Sequence, residues 1–213
     1  MAHNLFFLKK SNILSVRIIM DTMAFNQSIQ LTHMRENLIG SALARYFNSS
    51  IHFIEDNERR SEYDFSLYNP IKGWAFKFEA QDDYYTESMN GTLCIELFRY
   101  ISQEEKKEAK LFYTKADKLV FILNRLKKLI IVDVKILKKL VADLESSRQL
   151  LINDPEDHEA WRDKHDTNPT ACALVPIEEV LLADPKARVF DFDDLNLKPE
   201  LYDQLRFRKE NHD

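Results

Sequence analysis

Three short apolar segments near the middle of the chain each carry an acidic residue that a strand could present to a common site. They span residues 63–68, 76–83 and 92–97. Asp64 and Glu79 lie fifteen positions apart, and the turn-forming run 69–73 lies between them. Carboxylates that project from adjacent strands can hold a divalent cation, which orients a water molecule and neutralises charge at a phosphate. A site of this kind can hydrolyse a phosphodiester, whereas the same acids on ordinary strands would simply face solvent.

The elements that must position these acids follow from the hydrophobic pattern. Helical spacing predicts helices from Asn26 to Phe47 and from Asp133 to Ser146, the second with Asp133 as its N-cap, and a short helix opening at Pro176. The predicted apolar stripe of the first helix contains Leu31, Met34, Leu38, Ala42 and Tyr46. Strands are predicted at 51–54, 63–68, 74–81, 92–98, 119–123, 129–132, 174–176 and 189–191. We expect an α/β (α+β) domain with a central mixed β-sheet flanked by helices.

A hairpin would bring the first two acids together. Asp64 stands near the start of one predicted strand and Glu79 near the end of the next, so pairing through the turn 69–73 can place them side by side. The main-chain carbonyl of Ala80 is then a candidate third ligand for the cation. Gln81 lies two residues beyond Glu79, on the same face of the strand, and would point toward the same ion or its water.

Asp64, Glu79 and Gln81 together resemble the PD-(D/E)xK nuclease superfamily, in which an acid is followed by [D/E]-x-K on the next strand. Gln81 stands where that pattern has lysine. The likeness is greater to a phage and bacterial branch of these endonucleases, and it extends over residues 31–190. The segments that carry it are Glu79-Ala80-Gln81-Asp82-Asp83, Asn90-Gly91, Leu93-Cys94-Ile95-Glu96 and Thr114-Lys115-Ala116-Asp117-Lys118-Leu119-Val120.

The resemblance implies a restriction-endonuclease-like core that binds Mg²⁺ or Mn²⁺ through Asp64, Glu79 and the Ala80 carbonyl. It implies a nucleic acid as partner, with DNA favoured. A homodimer is a general expectation, because dimers are common where two strands must be cut. Because Gln81 is neutral, it can orient water but cannot supply positive charge. Some restriction endonucleases have Gln at this place, so activity is not excluded. Lys77, on the strand face of Glu79, or Lys115 could substitute for the missing lysine, and geometry favours Lys77.

Other acids and one lysine are assigned supporting roles. They are Glu36, Glu96, Asp83, Lys115 and Asp117. Ordinary structural roles compete with these assignments. The strand acids, including Glu96, could face solvent on an antiparallel sheet, Asp83 could solvate a loop, and Asp117 could orient a neighbouring loop.

Composition excludes several classes of protein. The chain has only three glycines and contains neither G-x-x-x-x-G-K-[ST] nor G-x-G-x-x-G, so nucleotide-binding loops of those kinds are absent. Its two cysteines, Cys94 and Cys172, stand alone in apolar runs, which indicates buried thiols in a reducing, cytoplasmic setting. No apolar run is long enough to span a membrane. Residues 104–139 contain eleven basic and five acidic residues, a bias compatible with phosphate contact.

We therefore predict an N-terminal extension at 1–25, a nuclease-like domain at 26–192 and a charged C-terminal tail at 193–213. The predicted function is metal-dependent phosphodiester hydrolysis. Two alternatives stay open: an inactive relative that binds DNA or a protein, which Gln81 and the net charge of −5 favour, and an interaction protein whose acidic tail contacts a basic partner.

Overall fold

The computed structural model describes residues 30–54, 62–82, 91–100, 106–146, 151–153 and 170–198. Helix α1 occupies residues 30–46 and buries Ile39, Ala42 and Leu43. These positions follow the i, i+3, i+4 spacing of a helix that packs on a core. The buried stripe is rotated from the predicted one, because Met34 and Tyr46 are each about half exposed.

A six-stranded sheet forms the centre of the fold. Its strands are β1 (Ser50–Phe53), β2 (Phe65–Asn69), β3 (Trp74–Asp82), β6 (Lys118–Leu123), β7 (Lys128–Asp133) and β10 (Arg188–Asp191), in the spatial order β1-β2-β3-β6-β7-β10. β3 and β6 pair in parallel, and the other neighbours pair antiparallel. The predicted mixed central sheet is therefore confirmed.

A second, antiparallel sheet packs beside the first. It contains β4 (Thr92–Tyr100), β5 (Lys106–Glu108), β8 (Leu151–Asn153) and β9 (Thr170–Pro176), in the order β5-β4-β9-β8. The pairing of β4 with β9 shifts register between Glu96 and Phe98, which marks a bulge. The strand predicted at 92–98 is thus present, but it belongs to this second sheet.

Three more helices accompany the sheets. They are α2 (Lys110–Tyr113), α3 (Val134–Ser146) and α4 (Ile177–Ala183), and a 3₁₀ turn follows at Asp193–Leu195. Asp133 caps α3 as predicted, since its Oδ1 accepts the Lys135 amide at 3.0 Å. Helix α4 starts at the residue after Pro176. Strands β5 and β8 and helix α2 are absent from the sequence-based prediction.

The central sheet separates two apolar cores. On one face, α1 and the 3₁₀ turn cover the even-numbered residues of β3, including Phe78 and Ala80. On the other face, the second sheet and α3 pack on the odd-numbered residues of β6, such as Leu119 and Phe121. Glu79 pairs in register with Leu119, so it points toward this second face. β3 thus presents apolar side chains to one side of the sheet and the carboxyl group of Glu79 to the other.

The packed core extends past the predicted end of the domain. Leu195 and Leu197 are each 2% exposed and lie in the core beneath α1, although residues 193–213 were predicted as a tail. The predicted extension at 1–25 lies outside the described residues. In the part of the chain that the structure describes, none of the helices combines the length and apolar character needed to cross a membrane.

Candidate active site

Asp64 stands immediately before β2 with its carboxylate turned inward. Its main-chain amide donates to the Phe78 carbonyl at 2.9 Å, which continues the β2–β3 ladder by one step. Its side-chain Oδ2 accepts the Ala80 amide at 2.7 Å, and the side chain is only 6% exposed. A charged acceptor bonded to a main-chain amide is held more firmly than a neutral one. The backbone of β3 therefore fixes the orientation of this carboxylate.

Glu79 lies on β3, one residue before the amide that holds Asp64. Its side chain is 9% exposed. Glu79 Oε2 is buried and has no hydrogen-bond partner among the described residues. A buried carboxylate oxygen without a partner is costly and calls for an explanation such as a ligand or an ion.

Lys110 joins the two acids. Its Nζ lies 3.2 Å from Asp64 Oδ1 and forms an ion pair with Glu79 Oε1. Lys110 opens the one-turn helix α2, which the buried Leu111 anchors in the core beside the second sheet. The amide of Ala109 also donates to the Leu97 carbonyl at 2.9 Å. The second sheet thereby positions the lysine over acids that the first sheet supplies.

The charges of this cluster change each other's protonation. Burial, followed by the negative charge of Asp64, raises the pKa of Glu79 to about 8, although Lys110 opposes the shift. Glu36 on α1 adds a further negative field in the same direction. For Lys110, burial alone would lower the pKa, but the charges of Glu79 and Asp64 outweigh it and raise the pKa above its ordinary value. The site therefore favours a cation next to its two carboxylates.

The donor set suits a hard divalent ion. Asp64 and Glu79 supply carboxyl oxygens, the ligand type that Mg²⁺ prefers, and Glu79 Oε2 has no hydrogen-bond partner among the described residues. The predicted Ala80 ligand lies beside Asp64, since its amide bonds that carboxylate. Within the described ranges, no group of three or more His, Cys, Asp or Glu side chains is arranged around one point. The protein would thus contribute two carboxylates and the Ala80 carbonyl, with water or substrate completing the shell.

Three residues were considered for the part of the motif lysine, and each makes its contacts away from the acid pair. They are Gln81, Lys77 and Lys115. Gln81 Nε2 donates to the Cys94 carbonyl at 3.4 Å, a long bond that ties β3 to β4. Lys77 Nζ lies 4.9 Å from the centre of the Tyr63 ring. Lys115 forms an ion pair with Glu62, and its side chain is 63% exposed. Among the described residues, the acid pair is therefore contacted by Lys110 and not by Lys77 or Lys115.

The remaining predicted site residues lie in different parts of the fold. Asp117 Oδ2 accepts the Lys77 amide at 2.9 Å and its own amide donates to the Lys77 carbonyl, so it joins β3 to the start of β6. Glu96 is half-buried on β4, at the bulge opposite β9. Glu36 acts on Glu79 through its field. Asp83 lies outside the described residues.

Lys110 was missed because no motif spacing leads to it. It follows Glu79 by 31 positions and belongs to no strand of the central sheet. One signal was available: Lys110 is a single cation between Ala109 and the apolar run Leu111-Phe112-Tyr113, inside the basic segment 104–139. A lysine at the edge of an apolar run is often drawn partly into the interior, where it needs an anionic partner.

Among known proteins, one solved structure is similar to this chain. No family model matches the chain, and no curated protein matches it. One solved structure, a bacterial homing endonuclease, is similar at 14% identity with a TM-score of 0.35. The match covers 48% of this chain and 66% of the endonuclease, just under two thirds of its length.

Proposed function

We propose that the protein is a metal-dependent endonuclease that hydrolyses phosphodiester bonds at the cluster of Asp64, Glu79 and Lys110. One observation supports this most: two buried carboxylates from adjacent strands share a single lysine ammonium, while Glu79 Oε2 has no hydrogen bond among the described residues. DNA as substrate, the PD-(D/E)xK affiliation and a homodimer belong to the same proposal.

Each residue has a defined part in the proposed reaction. Asp64 and Glu79 would hold Mg²⁺ or Mn²⁺ with the Ala80 carbonyl, and the bound ion would supply an acidified water and offset phosphate charge. The Ala80 amide keeps Asp64 from rotating away. Lys110 is 32% exposed on its outer side, so it can contact a phosphate placed against the acids and stabilise the developing negative charge. It thereby supplies the charge that Gln81 lacks.

Cleavage assays test the proposal. Plasmid, linear duplex, single-stranded and junction DNA are incubated with Mg²⁺ or Mn²⁺ and either the wild type, Asp64→Ala or Glu79→Ala. We expect metal-dependent cleavage by the wild type and its loss in both variants, because each removes a ligand. Cleavage that survives in folded variants would place the chemistry elsewhere and reject the assignment.

The same ion pairs favour a second candidate, an inactive relative that binds nucleic acid or protein. In that case Lys110 would permanently neutralise the acids in place of a metal. Manganese titration followed by electron paramagnetic resonance separates the two. The nuclease predicts a bound Mn²⁺ that Asp64→Asn removes, whereas the inactive relative predicts the same weak binding for both proteins.

A further inference from the structure

An aromatic and basic groove lies on the opposite face of the central sheet from the acid pair. Its volume is about 1010 Å³. It is bordered by the end of α1, the β2–β3 turn and the segment leading into β10. Phe76 and Phe78 of β3 line it, and both belong to the even-numbered face of that strand, whereas Glu79 belongs to the odd-numbered face. The groove is therefore separate from the candidate active site.

Four aromatic rings form a continuous row along this groove. Ring centroids are 5.2 Å apart between Tyr46 and Phe47, 6.1 Å between Phe47 and Trp74, and 5.5 Å between Trp74 and Phe76. Tyr46 is 48% exposed and Phe76 is 37% exposed. Large aromatic side chains that stay partly exposed in a row offer flat apolar surface to a ligand with planar groups.

The charged side chains that line the groove are all basic. They are Lys72, Lys118, Lys186 and Arg188, and no acidic residue is among the described residues that line it. Lys118 is already paired with Asp133 at 3.2 Å, and Arg188 lies 5.8 Å from the centre of the Phe47 ring. Lys72, Lys186 and Arg188 are exposed. A local excess of positive charge on a chain of net charge −5 favours an anionic ligand.

The groove is built on a fixed frame. Asn69 is 2% exposed, and its Nδ2 donates to the carbonyls of Phe47 and Asn48 at 3.2 and 3.0 Å. Its Oδ1 accepts the Lys72 amide at 2.9 Å. One buried side chain thus joins the end of α1 to the turn before β3. The aromatic row and Lys72 are held in a preformed arrangement, which lowers the entropic cost of binding.

We propose that this groove binds single-stranded nucleic acid. Bases would stack on the row formed by Tyr46, Phe47, Trp74 and Phe76, and phosphates would contact Lys72, Lys186 and Arg188. Stacking surfaces beside a basic track are the usual means of holding unpaired strands, since every base has a flat face and every linkage a charge. A duplex presents phosphates but keeps its bases stacked inside. The proposal needs no cleavage, so it does not depend on the nuclease assignment.

Fluorescence anisotropy measures the binding directly. The probe is a labelled thymidine oligonucleotide of about 15 nucleotides, compared with a duplex of equal length, in EDTA so that no cleavage occurs. We expect the wild type to prefer the single strand and Lys186→Glu/Arg188→Glu to bind it at least about tenfold more weakly. The matched control, Lys135→Glu/Lys139→Glu on the exposed side of α3, should stay within about twofold of the wild type.

Two further variants test the stacking. Phe76→Ala should weaken binding about tenfold. Trp74→Phe should reduce the quenching of tryptophan fluorescence by the oligonucleotide, because Trp74 belongs to the aromatic row. Trp161, the other tryptophan, supplies the fluorescence that remains in this variant. The double charge reversal changes only exposed side chains, so it remains informative if Phe76→Ala fails to fold. Inorganic polyphosphate should compete poorly.

Several results would overturn the inference. They are equal affinity for duplex and single strand, wild-type affinity in the groove variants, and competition by polyphosphate as strong as by the oligonucleotide. Asp64→Asn distinguishes the two proposals, because it should retain single-strand binding while losing any cleavage. Loss of binding in Asp64→Asn would assign the contact to the acid site and reject the groove.

Discussion

At the scale of single residues, Lys110 connects the two acids that the strands bring together. A neutral Gln81 follows Glu79, so the positive charge at this site has to come from another part of the chain. Lys110 provides it from α2, with contacts to both Asp64 and Glu79. A lysine on a separate element can approach the acids from their open side. Gln81 on β3 cannot do so, because its side chain is hydrogen-bonded to β4.

The raised pKa of Glu79 predicts an unusual dependence of stability on pH. The ordinary pKa of 4.5 applies to the unfolded chain, and burial raises it to about 8 in the folded, metal-free protein. Between these values the folded state binds more protons, so the free energy of unfolding falls as pH rises. We expect Glu79 to contribute a loss on the order of 4 kcal/mol from pH 4.5 to 8.

Chemical denaturation of the wild type and Glu79→Gln at several pH values measures this contribution. The difference between the two proteins cancels the titration of other groups. Wild-type stability should fall relative to Glu79→Gln as pH rises, with the change complete above about pH 8. Parallel stability curves would show that Glu79 has the same pKa in both states.

Part of the site follows from local pattern and part does not. Strand alternation and a turn at 69–73 suffice to place Asp64 and Glu79 next to each other, because both lie on one hairpin. The contact with Lys110 depends on where the second sheet packs, and that sheet pairs β4 with β9, which begins more than seventy residues later in the chain. Such long-range pairing has no local signature, which explains why Lys77 and Lys115 were favoured instead.

At the scale of elements, the longer helices and all strands except β5 and β8 were predicted, whereas the way the two sheets connect was not. β6 and β7 were predicted because both are short, nearly continuous apolar runs, as buried strands usually are. β5 and α2 were missed because three or four residues are too few to show periodicity. The apolar stripe predicted for α1 is rotated from the buried one, because Tyr46 lines the groove and stays half exposed.

The start of α3 gives a prediction about element stability. Asp133 caps the helix through the Lys135 amide and pairs with Lys118 at 3.2 Å. Asp133→Ala should lower the free energy of unfolding by about 1 kcal/mol, the usual cost of a lost N-cap. Urea denaturation measures the change, with Asp143→Ala on the exposed side of the same helix as control. Equal stability of the two variants would contradict the capping role.

At the scale of the whole molecule, the two cores set the limits of the folded unit. Phe192, Leu195 and Leu197 are buried beneath α1, so this part of the C-terminal segment completes the core rather than extending from it. The main-chain amide of Leu197 also donates to the Phe192 carbonyl at 2.9 Å, which closes the segment on itself. We therefore propose that the domain extends at least to residue 197.

Truncation tests this limit. A chain ending at residue 192 loses Leu195 and Leu197, whereas a chain ending at 198 keeps both. Burial of each leucine contributes about 2 kcal/mol, so the shorter chain should be less stable by roughly 4 kcal/mol. Thermal melting of the two chains isolates the contribution of residues 193–198. Equal melting temperatures would show that these leucines do not contribute to the core.

The most direct test of the central claim is a double-mutant cycle on the cleavage rate, with Asp64→Asn, Lys110→Met and their combination. If the two residues act as one catalytic unit, each single variant should be slower by at least about 100-fold, and the double variant should be scarcely slower than either. Lys115→Met, at the exposed pair with Glu62, should cleave at the wild-type rate. Wild-type cleavage by Lys110→Met would contradict the account.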